Sequence, residues 1–176
     1  MSHGEALRLH IGGTEAKEGW KILNVQPGPH VDFVGSCTSL AQFADGSVEE
    51  VYASHVLEHL GFRDELPQAL REIHRVLKPG GLCRISVPDF ETLCQLFVHP
   101  QVPADQKFSL MMNMFGAQED AYDLHRIGFT ADFMFSFLAQ AGFGRFRRVP
   151  CFDLFNDFSK AQRFGVPISL NVEAYK

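Results

Sequence analysis

The chain has 176 residues, which is the length of one domain with a sizeable core. Hydrophobic residues make up 45% of it and charged residues 21%, the composition of an ordinary globular protein. The 16 basic and 21 acidic residues give a net charge of −5, and no basic run stands out, so the sequence argues against nucleic acid as the main partner.

Short apolar strands separated by turns are predicted at the start of the chain. Residues 7–11 (LRLHI) and 20–25 (WKILNV) form the first two, and residues 12–13 (GG) directly follow the first strand. Only residues 14–19 separate this turn from the second strand, whereas a parallel crossover normally carries a helix of its own. We expect a stretched loop instead of that helix, with an antiparallel pair as the alternative. A third short strand is predicted at residues 31–34.

A strand–helix–strand unit is predicted from residue 51 to residue 89. Residues 51–53 end a strand, and residues 82–87 alternate apolar with other side chains as a strand does. Between them, apolar residues recur on one face of a predicted helix, which ends at Lys78 and residues 79–81 (PGG). Such a unit is parallel and right-handed, and ligands bind beyond the carboxyl ends of its strands. The residues placed on that rim are Ser54, His55, Glu58, Pro88 and Asp89.

Three helices and two strands are predicted in the second half. The first helix lies near residues 91–98, and the second covers residues 104–115. We expect the apolar face of the second to be core: Phe108, Met111, Met112 and Phe115. Thr130 N-caps a helix over residues 131–141, whose buried stripe is Met134, Phe137, Leu138 and Ala141 and which Gly142 closes. Strands follow at residues 145–149 and, with strict alternation, 168–174.

Two segments of this region carry a family resemblance. The sequences ASHVLEHL and LREIHRVLKPGGLCRISVPD, within residues 53–89, resemble the middle of the small, type 11 class I S-adenosylmethionine-dependent methyltransferases. A helix that ends in RVLKPGG and runs into a strand is a frequent signature of that family. Weaker similarity extends over residues 7–176. The resemblance implies an α/β fold: a Rossmann-like, mostly parallel sheet with flanking helices and an antiparallel last strand, here with the first crossover helix reduced or absent.

The domain organisation follows from the same resemblance. We expect residues 1–176 to form a single domain. Residues 91–128 resemble the insertion that caps the site in this fold, and we expect them to determine substrate specificity.

The resemblance also implies S-adenosylmethionine as the cofactor and a small-molecule acceptor as the substrate. Its implied cofactor-binding residues are His10, Gly12, Gly13, Trp20, Gln26, Ser36, Cys37, Ser54 and His55. The family usually has acidic residues at the positions of Gln26, for the ribose hydroxyls, and Ser36, for the adenine side. A neutral amide makes weaker bonds to a hydroxyl than a carboxylate does, so this chain departs from the pattern at its cofactor site.

Two residues are candidates for catalysis. His125 lies in YDLHRIGFT, and small methyltransferases have a similar His-x-x-x-Phe-Thr segment. We expect it to bind the acceptor or to act as general base for a hydroxyl nucleophile, with a surface histidine as the alternative. Asp89 follows the fifth predicted strand and is expected to line the pocket.

Two other functions remain open. A non-catalytic binding or scaffold protein with the same fold is one, because a fold alone does not establish activity. The other is a zinc hydrolase acting through His55, Glu58 and His59, because residues 55–59 (HVLEH) match the HxxEH pattern of inverted zinc proteases. That chemistry needs a third protein ligand and an open coordination position, and the sequence offers no evident third ligand. The methyltransferase interpretation requires no metal.

Cell location is predicted from the cysteines and from the lack of targeting signals. Cys37, Cys83, Cys94 and Cys151 show no CxxC pair and are expected to be reduced thiols. No signal peptide, transit peptide or membrane-length apolar run is visible. We therefore expect a cytoplasmic protein without a membrane partner, and the sequence does not indicate its oligomeric state.

Overall fold

The structure is a computed structural model that describes residues 7–119 and 122–176, so residues 1–6 of the predicted domain and residues 120–121 of the predicted insertion lie outside it. Its strands are β1 (Leu7–Ile11), β2 (Trp20–Asn24), β3 (Phe33–Val34), β4 (Val48–Ser54), β5 (Leu77–Pro88), β6 (Arg145–Val149), β7 (Gln162–Arg163), β8 (Val166–Pro167) and β9 (Ser169–Tyr175). Its helices are α1 (Glu65–Val76), α2 (Phe90–Val98), α3 (Ala104–Phe115) and α4 (Ala131–Ala141). No helix within the described ranges is long and apolar enough to cross a bilayer.

Seven strands form one sheet in the order β3-β2-β1-β4-β5-β9-β6. β9 is antiparallel to both of its neighbours, and the other pairs in the sheet are parallel. The predicted fold class is therefore confirmed, including its antiparallel last strand. The hairpin of β7 and β8 is an addition that the sequence did not predict.

The first crossover contains no helix. Residues 12–19, all of them described, form turns and loop, and β1 and β2 nevertheless pair in parallel with His10 opposite Ile22. The amide of Gly12 donates to the carbonyl of Leu23 at 2.8 Å, which ties the start of the loop to the end of β2. The stretched loop is thus confirmed, and the antiparallel alternative is wrong.

An aromatic cluster covers the sheet face that this missing helix would occupy. Right-handed crossovers that run in opposite directions along a sheet lie on opposite faces. Because α1 packs on the face with Leu9 and Val51, a β1–β2 helix would lie on the other face, which carries Trp20 and Tyr52. There, Phe152 and Phe155 from the C-terminal part of the chain complete the core.

Helix α1 ends before the predicted stop signal. It ends at Val76, and Leu77 already pairs with Val48 at the start of β5. Residues 78–81 therefore belong to the strand segment and not to the helix end. The Lys176 amine donates to the carbonyls of Arg75 at 3.1 Å and Leu77 at 2.8 Å, so a distant lysine has the C-terminal role predicted for Lys78.

The buried face of α3 differs from the prediction, although its bounds match. Leu110 and Met114 are buried, whereas Phe108 is 61% exposed and Phe115 is 49% exposed. The predicted core role of the Phe108 face is therefore wrong. In α4 the prediction is closer, since Met134 and Leu138 are buried, with Phe137 and Ala141 partly so.

Arg75 anchors the loop that leads into β4. Its guanidinium donates to the carbonyls of Leu40 and Phe43, each at 3.0 Å, and to Asp45 Oδ1 at 2.7 Å. It also bonds both carboxylate oxygens of Glu72, one turn earlier on α1, at 2.8 and 2.9 Å. These bonds join α1 to the segment that precedes β4.

We expect Arg75→Met to lower the free energy of unfolding by about 2 kcal/mol, because the loop carbonyls and Glu72 lose a charged donor. Urea denaturation followed by circular dichroism measures this change. Arg71→Met, at an exposed position of the same helix, is the matched control and should stay within about 0.5 kcal/mol of the parent. Equal effects of the two substitutions would contradict the anchoring role of Arg75.

Candidate functional site

A cavity of about 500 Å³ opens at the carboxyl ends of β1, β2 and β4. The chain leaves β1 in one direction for β2 and β3, and then returns to the other side of β1 to form β4. The point between β1 and β4 is therefore the topological switch point, where open α/β sheets bind their ligands. The volume lies within the range of small-molecule sites.

The floor of this cavity is the turn after β1. Gly12 has φ +76°, and a β-carbon on it would overlap Val56 Cγ2. The backbone is therefore exposed to the cavity at a position that only glycine occupies without strain. The neighbouring carbonyl of Gly13 accepts a bond from Asn24 Nδ2 at 3.1 Å.

Polar groups after β2 and β3 form one edge of the cavity. Asn24, Gln26 and Ser36 all line it. The Asn24 side chain accepts from the amide of Gln26 at 3.0 Å, and the hydroxyl of Ser36 lies 2.9 Å from that of Thr38. Cys37 lines the same edge, and burial raises the pKa of its thiol to about 11, so it is neutral near pH 7.

His55 stands at the far side of the cavity in a left-handed conformation, with φ +53°. Its amide donates to the carbonyl of Ser86 at 2.8 Å, which fixes the turn between β4 and the short 3-10 helix Leu57–His59. Non-glycine residues in this region of backbone space are uncommon and cluster at functional sites. The ring Nδ1 lies 3.2 Å from Glu58 Oε1.

A second cavity, of about 450 Å³, adjoins the first. His55 and His59 line both of them, so these two histidines form the boundary. The second cavity is also lined by α3 residues such as Met112 and Asn113, and by His125. A molecule in one cavity therefore lies next to a molecule in the other.

The loop with His125 is attached to the 3-10 helix. The amide of Arg126 donates to the carbonyl of Glu58 at 2.7 Å, and the rings of His59 and His125 lie 4.9 Å apart. Burial lowers the pKa of His125, so its imidazole is neutral near pH 7. Burial opposes ionisation of Glu58, but His55 and His59 outweigh it and its pKa is lowered.

Five predicted site residues lie away from both cavities. His10 and Trp20 pack in the aromatic cluster, where the His10 and Phe155 rings are 4.0 Å apart. Asp89 caps α2 by accepting from the Thr92 amide, and it pairs with Arg148 at 2.6 Å. Gly13 and Ser54 are neighbours of cavity residues but do not line either cavity. Their predicted roles stay predictions.

An ion pair at the cavity was not predicted from the sequence. Glu65 and Arg126 both line it, and their carboxylate and guanidinium are 2.9 Å apart. The same carboxylate oxygen accepts from the amide of Gly61 at 2.7 Å. Asn24 was not predicted either, although its position near the end of the predicted strand 20–25 was a signal that pointed to the rim.

The Methyltransferase domain family matches residues 14–85. A malonyl-[acyl-carrier protein] O-methyltransferase from Coxiella burnetii is 41% identical over 63 residues, which cover 36% of this chain and 21% of that protein. The chain thus matches only about a fifth of this curated relative's length.

Solved structures match almost the whole chain. An S-adenosylmethionine-dependent methyltransferase from Archaeoglobus fulgidus has a TM-score of 0.62 at 16% identity, covering 98% of this chain and 87% of that one. A 1,6-didemethyltoxoflavin-N1-methyltransferase from Burkholderia thailandensis, bound to S-adenosylhomocysteine, has a TM-score of 0.58 at 16% identity, covering 97% and 71%. The predicted resemblance to class I methyltransferases is confirmed in the fold and in residues 14–85.

The buried His10 makes stability depend on pH. Burial lowers its pKa from 6.5 to about 4, while nearby Asp157 and Glu15 act in the opposite direction. The unfolded chain therefore takes up a proton at His10 between pH 6.5 and 4 that the folded protein excludes. Stability from the neutral imidazole is present above pH 6.5 and is lost as the pH falls through about 4.

We expect His10→Gln to lose about 3 kcal/mol less stability than the parent between pH 7 and pH 4, since it has no such proton to bind. Denaturant titrations at several pH values give the pH dependence of the free energy of unfolding for the parent and for the variant. The exposed His30→Gln is the control and should follow the parent. A His10→Gln profile parallel to the parent's would rule out His10 as the source.

Proposed function

We propose that this chain, which has the class I methyltransferase fold, is an S-adenosylmethionine-dependent methyltransferase that acts on a small molecule. One observation carries the proposal. Two cavities of small-molecule size meet at His55 and His59, and one of them lies over the Gly12 turn at the topological switch point. A group-transfer enzyme needs such adjoining sites for donor and acceptor. The four free cysteines support a further proposal, that the protein resides in the cytoplasm.

The residues of the first cavity fit the cofactor. The exposed backbone at Gly12 allows close approach of a ligand, as the glycine turn of nucleotide-binding folds does. Gln26 and Ser36 offer an amide and a hydroxyl for the ribose and adenine side. The Glu65–Arg126 pair presents both charges and so complements a zwitterionic amino-acid end. When bound, the cofactor supplies an electrophilic methyl group on a sulfonium.

The second cavity would hold the acceptor. His55 and His59 at its boundary align the two molecules, and alignment and exclusion of water are the main contributions of a protein to this displacement. His125 has a neutral ring at the acceptor side, and we propose that it acts on the proton of an acceptor hydroxyl. Asp89 is engaged by the α2 cap and by Arg148, so its proposed contribution is to position β5 beneath the site.

A binding protein without transferase activity is the second candidate. The observation in its favour is that neutral Gln26 and Ser36 occupy cavity positions where the resemblance leads us to expect acidic residues. Titration of S-adenosylhomocysteine followed by a mass-spectrometric search for methylated products separates the two. No binding at millimolar ligand would eliminate the methyltransferase proposal.

We expect Gly12→Ala to weaken S-adenosylhomocysteine binding at least about tenfold, because the new methyl group strains the turn and displaces Val56 at the cavity floor. Isothermal titration calorimetry measures the affinity. Gly144→Ala is the matched control, since a β-carbon there meets no atom within 4 Å and should leave binding unchanged. Unchanged binding by Gly12→Ala would show that the cofactor lies elsewhere.

We expect Gln26→Asp to bind S-adenosylhomocysteine about three- to tenfold more tightly, because a carboxylate makes stronger bonds to ribose hydroxyls than an amide does. The same calorimetric titration tests this prediction. Gln140→Asp, at an exposed position of α4, is the control for the added charge. Weaker or equal binding by Gln26→Asp would mean that the ribose contact is assigned to the wrong residue.

A further inference from the structure

Three metal-ligating side chains converge at the boundary of the two cavities. Glu58, His59 and His125 each have a ligand atom within 4.8 Å of the others. This group differs from the predicted HxxEH set, because His55 is not part of it and His125 is. His125, which lies in the loop before α4, thus supplies a candidate ligand that the sequence did not reveal.

His59 and His125 are each oriented by a backbone carbonyl at one ring nitrogen, which leaves the other ring nitrogen available for a metal ion. His59 Nδ1 lies 3.3 Å from the carbonyl of Leu124, and His125 Nδ1 lies 3.2 Å from the carbonyl of Met114. Because a carbonyl only accepts, each Nδ1 carries a proton, and in the neutral ring this leaves the lone pair on Nε2. Metal-binding histidines are typically oriented by a bond of this kind from the opposite ring nitrogen.

Glu58 provides an independent indication of a cation. Its side chain is 1% exposed, and neither carboxylate oxygen accepts a hydrogen bond of good geometry from any described residue. The ring Nδ1 of His55, 3.2 Å from Oε1, is the one titratable group within ion-pair distance of this carboxylate among the described residues. A buried carboxylate without a full set of well-aligned donors is destabilised by several kcal/mol unless a cation accompanies it.

We propose that Glu58, His59 and His125 bind a divalent transition-metal ion and that this ion holds the acceptor hydroxyl. The role in transfer rests on the proposed function, whereas the ion site itself does not. Two imidazoles and one carboxylate suit Zn²⁺, Fe²⁺, Mn²⁺ or Co²⁺ better than Mg²⁺ or Ca²⁺. Ligand atoms of a tetrahedral zinc site are about 3.4 Å apart, so binding would shorten the distances between the three ligand atoms, which lie within 4.8 Å of one another, by up to about 1.4 Å.

The ion would leave a coordination position open toward the second cavity, which His59 and His125 line. A hydroxyl bound there is acidified and loses its proton to water. Its oxygen lone pair then forms the bond to the methyl carbon, while the electron pair of the carbon–sulfur bond stays on sulfur and neutralises the sulfonium. His125 thus acts on the acceptor proton through the ion.

Zinc binding by the untagged full chain tests the site. We expect one equivalent of Zn²⁺ to bind with a dissociation constant on the order of 1 μM or tighter, measured by competition with a chromogenic chelator. His125→Asn and the nearly isosteric Glu58→Gln should each weaken it at least about 100-fold, with circular dichroism confirming that both fold. His99→Asn, at an exposed histidine, should not change it.

Parallel titration with S-adenosylhomocysteine separates the two proposals. No zinc binding tighter than about 100 μM, with S-adenosylhomocysteine still bound, would overturn the ion site and leave the proposed function standing. Zinc binding that Glu58→Gln and His125→Asn do not change would overturn this set of ligands. A third outcome is that both variants lose zinc binding and the parent chain binds no S-adenosylhomocysteine. That result would support the ion site and overturn the methyltransferase proposal.

Discussion

Parallel pairing of β1 with a neighbour on each side, β2 and β4, is the constraint on which the rest of the structure depends. The chain must leave β1 in one direction and return in the other, so a cleft opens where the connections diverge. Gly12 satisfies the constraint on one side of the cleft with a left-handed turn, and His55 does so on the other, again with positive φ. The cavities follow from this geometry, because both residues turn the backbone sharply at the edge of the sheet.

The elements with agreeing local signals were predictable. The apolar periodicity predicts α1, the alternating pattern after it predicts β5, and both elements are present. Only the end of α1 differs from the prediction, because Leu77 already pairs with β4 before the PGG segment. In α3 the sequence allows two apolar stripes. Contact with α2 selects Leu110 and Met114, and Phe108 is left in solvent. Periodicity indicates a helix, but the choice between two apolar faces depends on the partner, which a single sequence does not identify.

The site was predictable where a residue directly follows a strand. Gly12, Gln26 and His55 line the first cavity for that reason. His10 comes one residue before Ile11, the last residue of β1. Because successive side chains point to opposite faces, Ile11 packs on the α1 face and the His10 ring is directed into the aromatic cluster. The approach of His125 to Glu58 depends on a tertiary contact between a loop and a turn, and no local pattern encodes it.

The missing crossover helix has a consequence for the order in which the protein folds. The apolar face that carries Trp20 and Tyr52 is covered by Phe152 and Phe155, and the Tyr52 hydroxyl bonds Asp157. During synthesis this face stays uncovered until residues 152–157 have been made. The core on this face of residues 14–85 is therefore completed by contacts that are distant in sequence, the kind that slow folding most.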